Sequence, residues 1–332
     1  MTDAPRPLGR IGRSVPPIGL GCWQFGGDWG RVGDDDALAA LHAAVEAGVR
    51  LLDTADVYGD GRSERLVARL RRDLGSDADA LFVATKVGRR ADPHVPEAYT
   101  PSALRAWVER SRENLGMDAL DLVQLHCPPP EVLDDDAVFA ALDDLQAQGV
   151  IRAYGVSVET VAEATRAMQR PDVASLQVIV NAFRQKPVDE VLPTAAERKV
   201  GILARVPLAS GLLSGRYTVD TEFAPDDHRN FNRHGEAFDV GETFAGVPFE
   251  VGVRAAREFA ALAPDGVSPA QLALRWLLDR DAVTVAIPGA RNPEQARSNA
   301  AVMDLAPLDA TTTAAISDLY DRHVREHVHD RW

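Results

Sequence analysis

Eight short apolar runs alternate with longer segments of helical spacing along almost the whole chain. The runs are IGLGC (18–22), VRLLDTA (49–55), LFVATK (81–86), LDLVQLH (120–126), VIRAYGVS (150–157), LQVIV (176–180), VGILARV (200–206) and VTVAIP (283–288). They are nearly continuous in apolar residues, which is typical of parallel strands that are covered on both faces. Eight successive β/α units predict a closed (β/α)8 barrel, the TIM-type fold of the α/β class.

The segments between the runs carry the apolar spacing and the start signals of helices. Leu38, Leu41 and Val45 form an apolar stripe at helical spacing, and later segments repeat this pattern. Thr100-Pro101 and Ser268-Pro269 each combine an N-cap residue with a proline at the first helical position. We therefore expect helices between the strands, as the barrel requires.

The rival architecture is a doubly wound open sheet, which usually carries the motif G-x-G-x-x-G after its first strand. Here the first strand supplies Gly19 and Gly21, but Gln24 stands where the third glycine would be. No other segment contains the motif, and the number of repeats suits a barrel. The sequence therefore favours the barrel over the open sheet.

Three segments lie outside the repeats. Residues 6–17 carry glycine turn signals and predict a hairpin that closes the floor of the barrel. Residues 207–249 follow the seventh strand and are long and poorly periodic, and loops of this length are usually functional. Residues 309–330 predict a terminal helix. No linker divides the chain, so residues 1–332 are expected to form one barrel domain.

Charge and cysteine content restrict the classes of partner and the compartment. The formal net charge is −14, which argues against nucleic-acid binding through phosphates and against adhesion to an anionic membrane. Two cysteines, Cys22 and Cys127, are too few for a disulfide framework and favour a reducing compartment. No run has the length of a membrane span, and the N-terminus lacks a secretory signal, so we expect a cytoplasmic protein.

Polar residues stand at the ends of three consecutive strand runs. Asp53 ends the second run, Tyr58 follows on the next loop, Lys86 ends the third run and His126 ends the fourth. Active sites of such barrels lie at the carboxyl ends of the strands. A Lys ammonium beside a phenol lowers the phenol pKa, which is ordinarily about 10. Tyr58 could then give a proton to a carbonyl oxygen that His126 orients, while Asp53 holds Lys86.

Each of these residues also has a purely structural interpretation. An isolated Asp–Lys pair is commonly a structural ion pair, and a histidine at a strand end is commonly a core residue. The four residues occur in order on consecutive barrel strands, however, and this combination favours a catalytic site.

The segments that carry these four residues resemble the aldo-keto reductase superfamily. They read GVRLLDTADVYGDGRSE, LFVATKVG and LDLVQLHCPPP, and the similarity extends from RPLGRIGRSVPPIGLG to IPGARNPEQARSNA. The resemblance implies a (β/α)8 barrel, an extended NADPH bound across its mouth and no metal. It also places the family's catalytic tetrad on Asp53, Tyr58, Lys86 and His126.

The resemblance further assigns a set of cofactor-binding residues. They are Ser157, Gln177, Arg205, Pro207, Leu208, Gly211, Leu213, Gly215, Gly289, Arg291, Gln295 and Asn299. By this resemblance, Ser157 and Gln177 contact the nicotinamide amide, and the segment from Leu208 to Gly215 folds over the pyrophosphate. For Ser157 the alternative is the N-cap of the following helix. The family's usual Asn after Ser157 is here Val158.

Arg205 stands where the family more often has an aromatic residue that stacks on the nicotinamide ring. A planar guanidinium can also stack, and the alternative is a salt bridge with a nearby acid.

The resemblance places the adenosine 2′-phosphate between Arg291 and Gln295, with Asn299 near the adenine. Other branches of the family have Lys at the position of Gly289 and Arg at the position of Gln295. Arg291 must then supply most of the positive charge. We therefore expect NADP(H) to be favoured over NAD(H).

The substrate is expected to be a small carbonyl or alcohol compound. Trp23, Phe25 and Trp29 follow the first strand and are predicted to line the mouth of the barrel. Trp23 and Trp29, together with Tyr58 and His126, are predicted to line the substrate site. The leading interpretation is an NADPH-dependent reductase of aldehydes or ketones. An NAD-dependent sugar or polyol dehydrogenase and a redox-sensing regulatory subunit with weak reductase activity are the alternatives. The sequence does not define an oligomeric state.

Overall fold

The structure, a computed structural model, describes residues 4–27 and 29–332. Two short antiparallel strands, β1 (Arg6–Pro7) and β2 (Ser14–Val15), precede the main sheet. The main sheet contains β3 (Leu20–Gly21), β4 (Leu51–Asp53), β5 (Phe82–Val87), β6 (Leu122–His126), β7 (Tyr154–Ser157), β8 (Ser175–Ile179), β9 (Gly201–Arg205) and β10 (Val285–Ala286). Each strand of this sheet overlaps one of the eight predicted runs and extends beyond it by at most one residue, which confirms the sequence pattern.

The eight strands of the main sheet are parallel, and neighbours in the sheet are neighbours in the chain. The sheet closes on itself because β3 also contacts β10. The Gly19 N–H donates to the Ala286 carbonyl at 2.8 Å, and the Gly21 N–H donates to the Pro288 carbonyl at 3.0 Å. The predicted (β/α)8 barrel is therefore confirmed.

Helices follow the strands and cover the outside of the barrel. The helices are α1 (Asp34–Glu46), α2 (Arg62–Leu74), α3 (Pro101–Leu115), α4 (Asp136–Ala147), α5 (Val161–Ala167), α6 (Lys186–Glu190), α7 (Leu192–Arg198), α8 (His228–Phe231), α9 (Phe249–Ala260), α10 (Pro269–Leu278), α11 (Pro293–Ala300), α12 (Ala310–His323) and α13 (Arg325–Val328). The Thr100 side chain caps α3, and Ser268 with Gln271 forms a capping box on α10. Both predicted start signals are confirmed.

The β1–β2 hairpin closes the barrel at the amino ends of the strands, as predicted. Leu8 and Val15 are buried in the cluster that fills the barrel interior, together with Leu51, Phe82 and Leu203. Gly9 has φ of +54° and lies against the backbone of β9, where a side chain would collide with Gly201. The hairpin therefore needs glycine at this position, both for the positive φ and for the close approach to β9.

The segment 207–249 crosses the carboxyl ends of the strands and contains α8 and several short 3-10 turns. Its aromatic residues pack with Phe249: the Phe223 and Phe244 rings lie 5.8 Å and 4.9 Å from that ring.

The predicted terminal helix is present as α12 and α13. Beyond it, Trp332 donates from Nε1 to Asp239 Oδ1 at 2.9 Å. Among the described residues, no helix combines the length and apolar character that crossing a membrane requires.

Candidate active site

The four polar residues predicted from the strand ends lie together at the carboxyl end of the barrel. Lys86 Nζ is 2.6 Å from Asp53 Oδ1, 3.2 Å from Tyr58 Oη and 3.0 Å from the Thr54 carbonyl oxygen. An ammonium can only donate hydrogen bonds. Tyr58 Oη therefore accepts from Lys86, which leaves the Tyr58 O–H free to be donated to another group.

Adjacent strands bring these side chains together because the barrel register places their ends side by side. The backbone of Asp53 pairs with Ala84, and that of Lys86 pairs with Gln124. The loop that carries Tyr58 continues to Gly59, which has φ of +58°. A Cβ at residue 59 would lie 2.7 Å from the Gly26 carbonyl, so glycine lets the Tyr58 loop pack against the loop that follows β3.

The pKa of Tyr58 departs from the expectation based on the sequence. Burial raises the pKa of the phenol to about 12, although Lys86 opposes this rise. The predicted acidification is therefore wrong in its net direction, because loss of water around the phenol outweighs the nearby ammonium. Burial lowers the pKa of Lys86, but Asp53 and Tyr58 raise it above its ordinary value. At neutral pH the phenol holds its proton beside a charged ammonium.

His126 is buried and neutral. Burial lowers its pKa well below the ordinary value of 6.5, and the positive charges of Arg89 and Lys86 add to this effect. Its ring lies edge-on to the Tyr58 ring at 5.8 Å. Arg89 Nη1 lies 3.4 Å from His126 Nε2.

Gln177 and Ser157 lie beside this group on neighbouring strands. Gln177 Nε2 donates to Asp53 Oδ2 at 2.7 Å, which leaves the Gln177 side-chain oxygen as an acceptor. Ser157 pairs with Gln177 in the strand register. The alternative role of Ser157 as an N-cap is excluded, because Thr160 caps α5 and forms a capping box with Glu163.

One elongated cavity of about 740 Å³ runs from this group across the mouth of the barrel. Asp53, Tyr58, His126, Trp23 and Trp29 line its first part. The predicted cofactor residues that line it are Ser157, Gln177, Arg205, Pro207, Leu208, Gly211, Gly289, Arg291, Gln295 and Asn299. Leu213 and Gly215 are not part of the lining: Leu213 belongs to the hydrophobic core, and Gly215 ends the turn behind it.

The far end of the cavity is formed by the start of α11. The Asn292 side chain caps this helix by accepting from the Gln295 N–H at 2.9 Å, and Gln295 Oε1 accepts from the Arg291 N–H at 2.8 Å. Asn299 Nδ2 donates to the Gly289 carbonyl at 3.2 Å. A Cβ at residue 289 would overlap the Gln24 side-chain amide, so a larger residue here would require the flexible Gln24 side chain to move.

Arg205 takes part in a salt bridge, which was the alternative to ring stacking. Its Nη2 lies 2.7 Å from Glu159 Oε2 and 3.1 Å from the Val158 carbonyl. Glu242 lies 3.7 Å from Arg205 and 2.6 Å from Arg89. We call Arg89, Glu159, Arg205 and Glu242 the charge cluster.

The two acids of the charge cluster differ in their pKa. Burial raises the pKa of Glu159 to about 8, although Arg205 opposes this. Burial would also raise the pKa of Glu242, but Arg89 and Arg205 hold it well below its ordinary value. Glu159 and Glu242 lie near Cys127 with the spacing of metal ligands, but the two guanidinium groups already compensate these carboxylates.

Arg89, Glu159 and Glu242 were not predicted from the sequence as site residues. Arg89 lies three residues beyond Lys86 and two residues after the end of β5, so the strand-end rule could have identified it. Glu242 lies in the poorly periodic segment 207–249, where no sequence signal indicates which side chains face inward. The prediction that Phe25 lines the mouth is wrong, because its ring is fully buried in the core and does not line the cavity.

A model of the Aldo/keto reductase family matches residues 17–321. The chain belongs to the aldo/keto reductase family. It is therefore an enzyme of the oxidoreductase class, and its barrel is the fold of its family relatives.

Individual relatives of this aldo/keto reductase cover most of its length. An aldo-keto reductase of Bacillus subtilis (strain 168) is 31% identical over 286 residues, which are 84% of this chain and 82% of the relative. The solved structure of a glycerol dehydrogenase from Gluconobacter oxydans matches with a TM-score of 0.77 and 30% identity, over 97% of this chain and 96% of that one. An aldo-keto reductase from Klebsiella pneumoniae, solved in complex with NADPH, matches with a TM-score of 0.71 and 26% identity, over 96% of each chain.

Proposed function

We propose that this aldo/keto reductase uses NADPH to reduce aldehydes or ketones to alcohols, with Tyr58 as the proton donor. One observation carries the proposal: a protonated phenol and a charged ammonium are 3.2 Å apart at the inner end of an open cavity. We also propose that residues 1–332 form one catalytic barrel domain, because the site draws side chains from strands along the whole barrel.

The residues present fit a nicotinamide dinucleotide. The cavity is elongated, and Gln24 Oε1 in its wall is buried without a hydrogen-bond partner among the described residues. Gly211 and Gly289 leave room in the cavity wall for the polar ends of Tyr217 and Gln24, which lie where a Cβ would be. The Klebsiella relative was solved with NADPH, which supports the same cofactor here.

Residues along the cavity would hold successive parts of this cofactor. Ser157 and Gln177 would bind the nicotinamide amide, and Arg205 would lie beside the ring. Pro207, Leu208 and Gly211 would border the pyrophosphate, with Leu213 and Gly215 shaping that turn from behind. Gly289, Arg291 and Gln295 would receive the adenosine 2′-phosphate at the start of α11, where backbone N–H groups favour anions. Asn299 would lie near the adenine. When bound, the cofactor supplies the hydride.

The chain's own residues manage the proton. The substrate oxygen would lie next to Tyr58 Oη and His126, with Trp23 and Trp29 as apolar walls. Tyr58 donates its proton as negative charge develops on the oxygen, and Lys86 stabilises the resulting phenolate. Asp53 keeps Lys86 charged and directed at Tyr58, at 2.6 Å from Nζ. In the reverse direction, the phenolate removes the alcohol proton.

A panel of neutral aldehydes and ketones tests the proposed function. We expect loss of NADPH absorbance with several members of the panel, and slower turnover with NADH. Polyols and aldoses with NAD test the second candidate, a polyol dehydrogenase, which the similarity to a glycerol dehydrogenase supports. Turnover in the NAD arm alone would favour that candidate. If the cofactor binds but neither arm shows turnover, both enzymatic candidates are overturned. The redox-sensing subunit is then the remaining interpretation.

Arg291 is predicted to determine the preference for NADPH. Replacing it with Ala should raise KM for NADPH by roughly 10- to 100-fold, because a charge-assisted hydrogen bond contributes about 1.5–3 kcal/mol. KM for NADH should change little, since NADH lacks the phosphate. Arg297→Ala is the matched control, because Arg297 lies on α11, which begins two residues after Arg291, but is outside the cavity lining and pairs with Glu46. Equal loss with both cofactors would contradict the assignment.

A further inference from the structure

The side chain of Trp332 packs behind the segment 207–249, on the side away from the cavity. Its Nε1 donates to Asp239 Oδ1 at 2.9 Å, and the same oxygen accepts from the Gly241 N–H at 2.6 Å. The Arg184 guanidinium lies 3.9 Å from the centre of the indole ring, as in a cation–π interaction. Because Trp332 is only 7% exposed, the indole is a fixed and buried part of the fold.

The indole occupies the space beside two glycines of the segment. A Cβ at residue 241 would lie 2.9 Å from the indole, and a Cβ at residue 246 would overlap it. These two glycines belong to two consecutive 3-10 turns, Val240–Glu242 and Phe244–Gly246. The ring of Trp332 therefore packs directly against the backbone of both turns.

The second of these turns has a backbone that needs support from its surroundings. Phe244 and Ala245 have φ of +54° and +58°, values that residues with a side chain rarely adopt unless the neighbouring structure holds them there. Arg184, which stacks on the indole, donates from Nη1 to the Ala245 carbonyl at 3.1 Å. Trp332 and Arg184 together therefore hold the turn in this conformation.

The two turns form part of the cavity wall and connect to a second part of it. Glu242 lines the cavity, and so does Ser210, which lies between Leu208 and Gly211. Ser210 Oγ donates to the Glu242 carbonyl at 3.2 Å and accepts from the Phe244 N–H at 3.0 Å. A serine hydroxyl has only one hydrogen to donate. Ser210 therefore uses it to join the two parts of the wall.

We propose that Trp332 is a positioning residue that wedges the two turns in place, so that Glu242 and Ser210 form fixed walls of the cavity. Trp332 does not line the cavity itself and acts on ligand affinity through the turns. This rests on the proposed function, in which the cavity holds the cofactor and a carbonyl substrate. Tyr58 and Lys86, which handle the proton, belong to β5 and the loop after β4. The effect of Trp332 should therefore fall on binding and not on the chemical step.

The first test measures how firmly the turns are held in the full chain. Hydrogen exchange followed by mass spectrometry should be faster in Trp332→Ala by about tenfold or more in peptides covering residues 207–215 and 239–246, and unchanged in β5. Phe139→Ala is the matched control, because Phe139 on α4 is also a buried ring with a guanidinium, that of Arg170, at 4.5 Å. Unchanged exchange in Trp332→Ala, or equal acceleration in Phe139→Ala, would overturn the proposal.

The second test measures ligand binding and turnover separately. In Trp332→Ala, Kd for NADPH and KM for the carbonyl substrate should each rise by roughly tenfold, as expected if the segment holds its binding conformation for about a tenth of the time. At saturation, kcat should fall by less than about twofold. Phe139→Ala should keep the native values of all three quantities. Unchanged Kd and KM, or a fall in kcat as large as the rise in KM, would contradict a positioning role.

A double variant tests whether the effect reaches the cofactor through Ser210. Ser210→Ala removes both hydrogen bonds to the turns and should by itself raise Kd for NADPH. In Ser210→Ala/Trp332→Ala, Kd should lie within about twofold of the larger single effect, because both substitutions break the same connection. If the two single effects multiply in the double variant, Trp332 does not act through Ser210.

Asp239→Ala protects these tests against a loss of folding in Trp332→Ala. It removes the acceptor of the indole N–H but retains the ring, so residues 239–246 should exchange faster and Kd for NADPH should rise by about threefold. If Trp332→Ala does not fold and Asp239→Ala leaves both quantities unchanged, the proposal is wrong. A native protein that binds neither NADPH nor NADH would instead contradict the proposed function, and the exchange measurement would still decide the role of Trp332.

Discussion

Replacing Tyr58 with Phe is expected to lower kcat/KM for carbonyl reduction by about 10²- to 10⁴-fold, the usual contribution of a positioned acid. The substitution removes one oxygen and retains the ring, which stacks on Trp23 at 6.2 Å and meets His126 at 5.8 Å. The cavity keeps its shape, so Kd for NADPH should change by less than about twofold. Steady-state kinetics and a fluorescence titration of the cofactor measure the two quantities.

Tyr154→Phe is the matched control for this substitution. Tyr154 is buried, and its hydroxyl donates to Asp143 at 2.6 Å, but it does not line the cavity. This variant should retain native kcat/KM. If Tyr58→Phe keeps full activity, Tyr58 is not the proton donor; if it loses cofactor binding as strongly as turnover, the phenol acts in binding and not in proton transfer.

Replacing Lys86 with Met is expected to affect stability and activity together. Lys86 and Asp53 are both at least 97% buried and form a direct ion pair. Removing one partner of such a pair leaves an uncompensated buried charge, which destabilises proteins by about 3–5 kcal/mol. The free energy of unfolding in urea should fall by this amount. Reductase activity should fall as well, because the phenolate that forms at Tyr58 would lose its counter-charge.

A double variant separates the two effects of Lys86. In Asp53→Asn/Lys86→Met both charges are absent, and Gln177 can still donate to the side-chain oxygen at position 53. We expect most of the lost stability to return, because removing both ions avoids the penalty of an unpaired one. Activity should stay low. If Lys86→Met has the same free energy of unfolding as the unmodified protein, the ion pair is not buried in solution. If the double variant recovers activity, Lys86 has no electrostatic role in the reaction.

The barrel could be predicted from the sequence because its signals are local. Apolar runs such as LFVATK, followed by helical stripes, indicate strands that are buried on both faces. This pattern is visible without knowing which distant residues cover them. Thr100 and Ser268 mark helix starts by side-chain chemistry that acts over three residues. The sequence order Asp53, Tyr58, Lys86, His126 could also be interpreted as one site, because in a barrel the ends of consecutive strands are neighbours in space.

The properties that depend on burial and on distant chain segments could not be predicted. The sequence indicated that Lys86 would acidify Tyr58, but burial has the larger effect, and the net pKa rises to about 12. Burial is a property of the folded surroundings and not of the residue type. The sequence also could not predict which acids pair with Arg205, since Glu159 and Glu242 are far from it in the chain.

The sequence by itself determined the fold, the family and the four polar residues at the strand ends. The fold follows from residue spacing within short segments, and the four polar residues follow from the order of successive strands. The family follows from the resemblance of those segments to known sequences. The tertiary structure alone decided that Arg89 contacts His126, that Gln24 occupies the space beside Gly289, and that Glu242 reaches the site from the segment 207–249. The physical reason is that hydrogen bonding and electrostatic interaction act through distance in space, and only folding brings side chains that are far apart in the chain within reach.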